Sequence, residues 1–138
     1  VGKEFGVTTG RPRRCGWFDG VAGRYSVKVN GFDSMVITKL DILDGFETVK
    51  VCVAYELDGK RTETFPVDTA KIARSKPVYE EFPGWSGSTA GVTERDQIPQ
   101  NAARYIRFLE ELLGIPVSII SSGPRREETV LLHRIIPA

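Results

Sequence analysis

One His, one Met and two Cys stand among 138 residues, and each scarcity removes a class of chemistry. A structural zinc site takes four ligands at short spacings. Cys15 and Cys52 form no C-x-x-C pair, and His133 has no Cys or carboxylate at ligand spacing. Two cysteines make at most one bridge, and no charged, apolar and small-residue leader opens the chain, so the expected compartment is a reducing one, the cytoplasm, with both thiols free. Cys52 lies in the apolar run Val51–Tyr55 and reads as core. Cys15 follows Arg13 and Arg14 without a placed base, and reads as an inert thiol. His133, ending Val130-Leu131-Leu132-His133, is expected on a strand near the C-terminus and not in a triad. No apolar run approaches the roughly 18 residues a membrane span needs. Neither sign of charge dominates: 19 basic and 18 acidic residues leave a net charge of +1, which excludes a generally basic nucleic-acid binder and an acidic tail. No G-x-x-x-x-G-K-[ST] motif is present to cradle phosphates. Glu80 and Glu81 are adjacent and do not face each other as an acid/base pair would. No catalytic residue and no metal ligand is therefore assigned. The chain starts at Val1 without Met, and its turn-rich opening has no element before it, so further sequence upstream is expected.

What is present suits one domain, with 41% hydrophobic and 27% charged residues. At this length about 68–70% of the unfolded surface can be buried without metal or disulfide. A Gly/Thr/Arg-rich loop over residues 1–14 precedes an expected helix from Gly16 to Asn30, with an imperfect stripe of Trp17, Val21, Tyr25 and Val27. Met35–Thr38 reads as a short buried strand. Thr48–Leu57 and Lys60–Phe65 read as strands joined by the Asp58-Gly59 hairpin turn. A short polar helix is expected over Asp68–Arg74, then an extended stretch over Pro77–Phe82 ending at the Pro83-Gly84 turn. Trp85, just after that turn, is expected as a lid on the core. Ser86–Ile98 reads as a surface connection. Pro99 suits the first turn of a helix carrying Ala102, Tyr105, Ile106, Leu109, Leu112 and Leu113, stopped by Gly114 and Pro116. Val117–Ser121 and Thr129–Ile136 are the last expected strands. Strands mixed with two main helices and a β-hairpin give an α/β or α+β domain.

Three loops can hold chemistry. Thr38-Lys39-Leu40-Asp41 directly follows a strand. Guanine presents N1–H and its 2-amino group as adjacent donors, and a carboxylate meets both at once. The lysine two residues earlier can lay its methylene stem along the base with its ammonium in water. A solvated turn is the alternative for so short a tetrad. The second loop, Ser121-Ser122-Gly123-Pro124, also follows a strand, and Gly123 permits close backbone approach, so N–H groups there can donate to guanine O6. Such loops at strand ends would form a base pocket where α/β proteins bind ligands; an ordinary strand connection is the alternative. The third, Gly6-Val7-Thr8-Thr9-Gly10-Arg11-Pro12-Arg13-Arg14, combines hydroxyls, exposed N–H groups and guanidiniums, and suits a small anion. A solvated basic loop or a nucleic-acid backbone contact are its alternatives, the latter without a second basic, aromatic-laced surface.

The runs Glu4–Trp17, Thr38–Gly45, Val51–Tyr55, Pro77–Glu80, Pro83–Trp85 and Ser121–Pro124, with Glu128-Thr129, resemble the adenylosuccinate synthetase family, in family order over essentially the whole chain. The resemblance implies the C-terminal portion of a P-loop-NTPase-like mixed α/β enzyme. In that family GTP phosphorylates the 6-oxygen of IMP and L-aspartate displaces the phosphate, with Mg²⁺ required. By motif, Val7, Thr8, Thr9, Gly10, Arg11, Pro12 and Arg13 would form the loop that closes on aspartate. Arg11 would also approach IMP, and Arg13 would reach the GTP side. Lys39, Leu40 and Asp41 would read guanine, with Ser121, Ser122 and Gly123 closing round it. The second loop departs slightly from the commoner Ser-Thr-Gly. The phosphate loop, catalytic Asp and His, Mg²⁺ ligands and most of the IMP pocket would precede Val1, leaving this portion inactive alone. The complete enzyme would be a homodimer, binding neither nucleic acid nor membrane. A stand-alone guanine-nucleotide-binding or interaction module without catalysis is the alternative.

Overall fold

The computed structural model describes residues 4–133. Two sheets share one core. In the first, the long strand β3 (Thr48–Leu57) has β5 (Lys76–Pro83) antiparallel along one edge. Its other edge takes the two-residue β1 (Phe18–Asp19), parallel, and then β4 (Lys60–Thr62), antiparallel. In the second, β6 (Val117–Ser121) is central, with β2 (Met35–Thr38) parallel to it and β7 (Thr129–Leu131) antiparallel. Helix α1 (Gly20–Asn30) packs on β3 and on α3 (Gln100–Leu113), while the short α2 (Thr69–Arg74) joins β4 to β5. Among the described residues no helix is long and apolar enough to cross a membrane. The expected mixture of strands, a hairpin at Asp58-Gly59 and two main helices is observed.

The best-patterned segment builds the core. Ala102, Tyr105, Ile106, Leu109 and Leu113 recur at helical spacing and are buried on one face of α3, the first four in one cluster with Val49, Val51, Trp85, Val117, Ile120 and Val130. Burial pushes the Tyr105 phenol up to about 12. Trp85 is buried as expected, and its indole N–H donates to Asp44 at 2.6 Å. Cys52 is buried and donates to the Ala54 carbonyl, with its thiol pushed up first by burial and then by the Asp19 charge; Cys15 is exposed.

Several expected boundaries move, each for a local reason. The first helix starts at Gly20 and not Gly16, because the Asp19 carboxylate caps it, accepting from the Val21 and Ala22 amides at 3.0 and 3.1 Å. Asp19 also accepts from the Tyr55 hydroxyl, and its backbone belongs to β1. Strand β2 was expected to be buried, yet it alternates half-buried and exposed, with Val36 53% exposed. Among the described residues it pairs only with β6, and β-branched composition does not disclose how many neighbours a strand has. Strand β4 stops at Thr62, after which Phe65 leaves the sheet and stacks on Tyr25. Pro99 caps α3 from outside its first turn. β7 ends at Leu131, so His133 lies in a bend beyond it, its N–H directed at the Ser118 carbonyl. Residues 134–136 of the expected last strand, and residues 1–3 of the first loop, lie outside the described residues. The stretch expected as a surface connection buries Thr89 and Val92 and contains a 3-10 turn, Arg95–Gln97, with a Glu94/Gln97 capping box.

Candidate functional site

The parallel pairing of β2 with β6 brings the first two candidate loops together. Thr38 is the register partner of Ser121, so both strands end side by side and both loops leave at the same edge. They line a pocket of about 320 Å³, walled by Thr38, Lys39, Asp41, Ser121, Gly123 and Pro124. Thr38 and Pro124 belong to the two candidate loops named from the sequence, which give them no role of their own; the pocket adds them as wall residues.

The first wall is set by one unusual backbone angle. Lys39 has φ 57° and ψ 39°, a left-handed conformation uncommon outside glycine. That bend ends β2 at once and starts the 3-10 turn Leu40–Leu43. Leu40 is 2% exposed and belongs to the core, so it anchors the turn and does not line the pocket. Asp41, one residue on, lines the pocket, and no hydrogen bond or ion pair among the described residues engages its carboxylate.

The second wall folds back on itself through Glu128. The Ser122 N–H donates to the Glu128 carbonyl at 3.0 Å, and the Glu128 carboxylate accepts from the Arg125 N–H at 2.9 Å and from the Arg125 guanidinium at 2.8 Å. Those bonds, the guanidinium first, hold the Glu128 carboxyl below the usual glutamate range. A Cβ at Gly123 would meet the Glu128 carboxylate, so glycine lets that side chain fold over the turn undisturbed. The Gly123 N–H enters no hydrogen bond among the described residues. Ser122 departs from expectation. Its side chain is 2% exposed and donates to the Val92 carbonyl at 2.6 Å, so this hydroxyl faces the interior and not the pocket.

The third loop is an ordered turn. Phe5 and Pro12 form an antiparallel bridge, the Gly6 N–H donates to the Arg11 carbonyl and the Gly10 N–H to the Gly6 carbonyl, each at 2.8 Å. Val7, Thr8, Thr9, Gly10, Arg11, Pro12 and Arg13 ride exposed on it, with Val7 97% exposed. The Thr9 hydroxyl oxygen accepts weakly from the Arg11 N–H at 3.4 Å, and the Arg11 guanidinium forms no ion pair among the described residues. Glu4, not foreseen as a site residue, joins this turn to the pocket: its carboxylate pairs with Arg13 at 3.4 Å and with the Lys39 ammonium. No local pattern in the sequence pairs Glu4 with Lys39.

A larger open groove of about 630 Å³ lies elsewhere, between the β3–β4 turn and α2, around Phe65 and Val67. It contains none of the residues above and sits at no parallel strand end, so size alone does not select it. Among the described residues no three His, Cys, Asp or Glu side chains gather as a metal site.

The family profile described as "Adenylosuccinate synthetase" matches residues 1–130. A curated relative of that name from Trichodesmium erythraeum is 51% identical over 132 residues, covering 96% of this chain and 30% of its own length. One from Schizosaccharomyces japonicus is 53% identical over 133 residues, with 96% and 31% covered. The solved structure of fully ligated adenylosuccinate synthetase from Plasmodium falciparum superposes with a TM-score of 0.90 at 36% identity, over 96% of this chain and 32% of that one. The chain thus spans about a third of the length of the relatives it matches.

Proposed function

The chain belongs to the adenylosuccinate synthetase family, and from that premise we propose that it is the C-terminal, substrate-gripping segment of a GTP-dependent ligase of purine biosynthesis. The complete enzyme, a cytoplasmic homodimer in this reading, joins IMP and L-aspartate into adenylosuccinate and releases GDP and phosphate. The segment supplies the guanine pocket and the aspartate loop.

The observation that carries the reading is the Asp41 carboxylate, without a partner among the described residues, on the wall of a pocket at two parallel strand ends. Guanine N1–H and the 2-amino group donate to its two oxygens, a fork that adenine cannot complete. The Lys39 stem lies along the base while its ammonium stays with Glu4. The Gly123 N–H donates to O6. Leu40 and Ser122 serve from behind, one by anchoring the turn and the other by tying its loop inward. On the other loop, Thr8, Thr9 and Arg11 hold the aspartate carboxylates, Arg11 also approaches IMP, and Arg13 reaches toward the nucleotide.

Mg²⁺ supplies charge neutralisation for phosphoryl transfer in such enzymes. Among the described residues no three His, Cys, Asp or Glu side chains gather, and in this reading the Mg²⁺ ligands belong to the rest of the enzyme, so no step here runs through the ion. The test compares the full-length protein bearing this segment with the isolated chain, given GTP, IMP, L-aspartate and Mg²⁺. Adenylosuccinate formation by the full-length protein alone is expected. Comparable phosphate release by the isolated chain, or equal use of ATP and GTP, refutes the reading. Guanine-nucleotide binding with no turnover in any longer form favours a stand-alone module.

A further inference from the structure

The stretch between β5 and α3 is fastened at both ends to the two walls of the base pocket. At one end stands Asp44, three residues beyond Asp41. Its carboxylate accepts from the Trp85 indole N–H at 2.6 Å, the Thr89 N–H at 2.7 Å, the Thr89 hydroxyl at 2.8 Å and the Ser88 hydroxyl at 3.3 Å. At the other end the Gly91 N–H donates to the Ser122 carbonyl at 3.1 Å, and the Ser122 hydroxyl donates to the Val92 carbonyl at 2.6 Å. Thr89 and Ser122 are each 2% exposed, so the bonds made by their hydroxyls are sheltered from water.

We propose that Asp44 is a positioning residue of the pocket, and that with Thr89 and Ser122 it forms a brace holding the Lys39–Asp41 wall at a fixed distance from the Ser121–Gly123 wall. The proposal rests on the guanine reading above and extends it to residues that do not touch the base. A strand pair alone fixes Thr38 against Ser121 but leaves both loops free to splay beyond that last register. The brace spans that gap from behind. Reading one base from two edges requires the Asp41 oxygens and the Gly123 N–H to keep their separation closely, since a misplacement of about 1 Å can cost about 100-fold. A carboxylate receiving four donors, two of them from Thr89 alone, is a stiff clamp.

The test uses the full-length enzyme bearing this segment, with Thr89→Val, Ser122→Ala, their double variant and Thr89→Ser. Thr89→Val keeps the side-chain shape and removes the hydroxyl donor. Each single variant is expected to raise KM for GTP by about three- to tenfold, with KM for IMP and for aspartate changed less than about twofold. Because both changes act through one segment, the double variant should fall short of the product of the singles by about threefold or more. Thr89→Ser should restore KM for GTP. Equal rises in all three KM values, a lowered thermal midpoint with KM for GTP unchanged, or multiplicative singles overturn the brace. Asp41→Asn serves as the reference: if it shifts nucleotide preference and the brace variants leave KM for GTP unchanged, the brace alone fails. If Asp41→Asn shifts nothing, the guanine reading fails with it. Should Thr89→Val not fold, Ser122→Ala still decides by its KM split.

Discussion

Replacing Asp41 by Asn keeps the side chain's size, removes its charge and turns one acceptor oxygen into a donor. The structure makes this a clean perturbation, because no hydrogen bond or ion pair among the described residues engages the Asp41 carboxylate. Folding stability should therefore move by no more than about 0.5 kcal/mol. Guanine loses one bond to a charged group, worth about 1.5–3 kcal/mol. The half-buried setting of Asp41 favours the lower part of that range. Xanthine carries O2 where guanine carries the amino group, so it gains a neutral bond of about 0.5–1.5 kcal/mol from the new amide. The preference for GTP over xanthosine triphosphate should then shift by about 30- to 300-fold. The assay is kcat/KM for each nucleotide in the full-length enzyme at saturating IMP and aspartate, beside a thermal melt. A preference within about threefold of the unaltered enzyme would refute the assignment of Asp41 to the base, since no other effect of this size is available to cancel it.

Arg11→Leu should raise KM for aspartate by about tenfold or more, the scale of one lost charge-assisted bond, with the melting midpoint nearly unchanged because the Arg11 side chain forms no ion pair in the fold among the described residues; a melting effect alone would return this loop to a solvated role. Gly20→Ala should destabilise by about 1–3 kcal/mol in denaturant titration, because a Cβ there would lie 2.9 Å from the Cys52 carbonyl oxygen and collide with Leu112. Alkaline titration should lower stability from pH 10 upward, because unfolding releases protons that the folded Tyr55 and Tyr105 hold above their ordinary value of 10.0. The slope should be at most about 1.4 kcal/mol per pH unit per tyrosine, and Tyr105→Phe should remove its share; an unchanged slope in that variant would contradict the cause given.

Segments whose structure is decided by near neighbours were legible in the sequence. Helix α3 followed its own apolar stripe, the Asp58-Gly59 turn joined β3 and β4, and both candidate base loops followed strands as expected. Whatever depended on distant partners was not legible. Strand β2 reads like any buried β-branched run, and among the described residues it has one neighbour, β6. Thr89 looked like one more polar residue in a connection, because the carboxylate that receives its hydroxyl belongs to Asp44 on another segment. Ser122 carried a hydroxyl that the pattern assigned to a ligand and the fold assigned to Val92. Glu4 gave no local sign of bridging Arg13 and Lys39. Thr89, Ser122 and Glu4 are each a polar group whose partner is chosen by packing.

The side-by-side ending of β2 and β6 also has a kinetic consequence. Thr38 and Ser121 stand 83 positions apart in the sequence, so their pairing closes a long loop and is an entropically slow contact to form. A ribosome releases the second wall only after nearly all the preceding core segments have emerged. No folding intermediate that lacks β6 beside β2 can present both walls to a base. Guanine-nucleotide affinity would thus double as a marker of maturity, and a nucleotide present during synthesis would stabilise only chains that had completed this pairing.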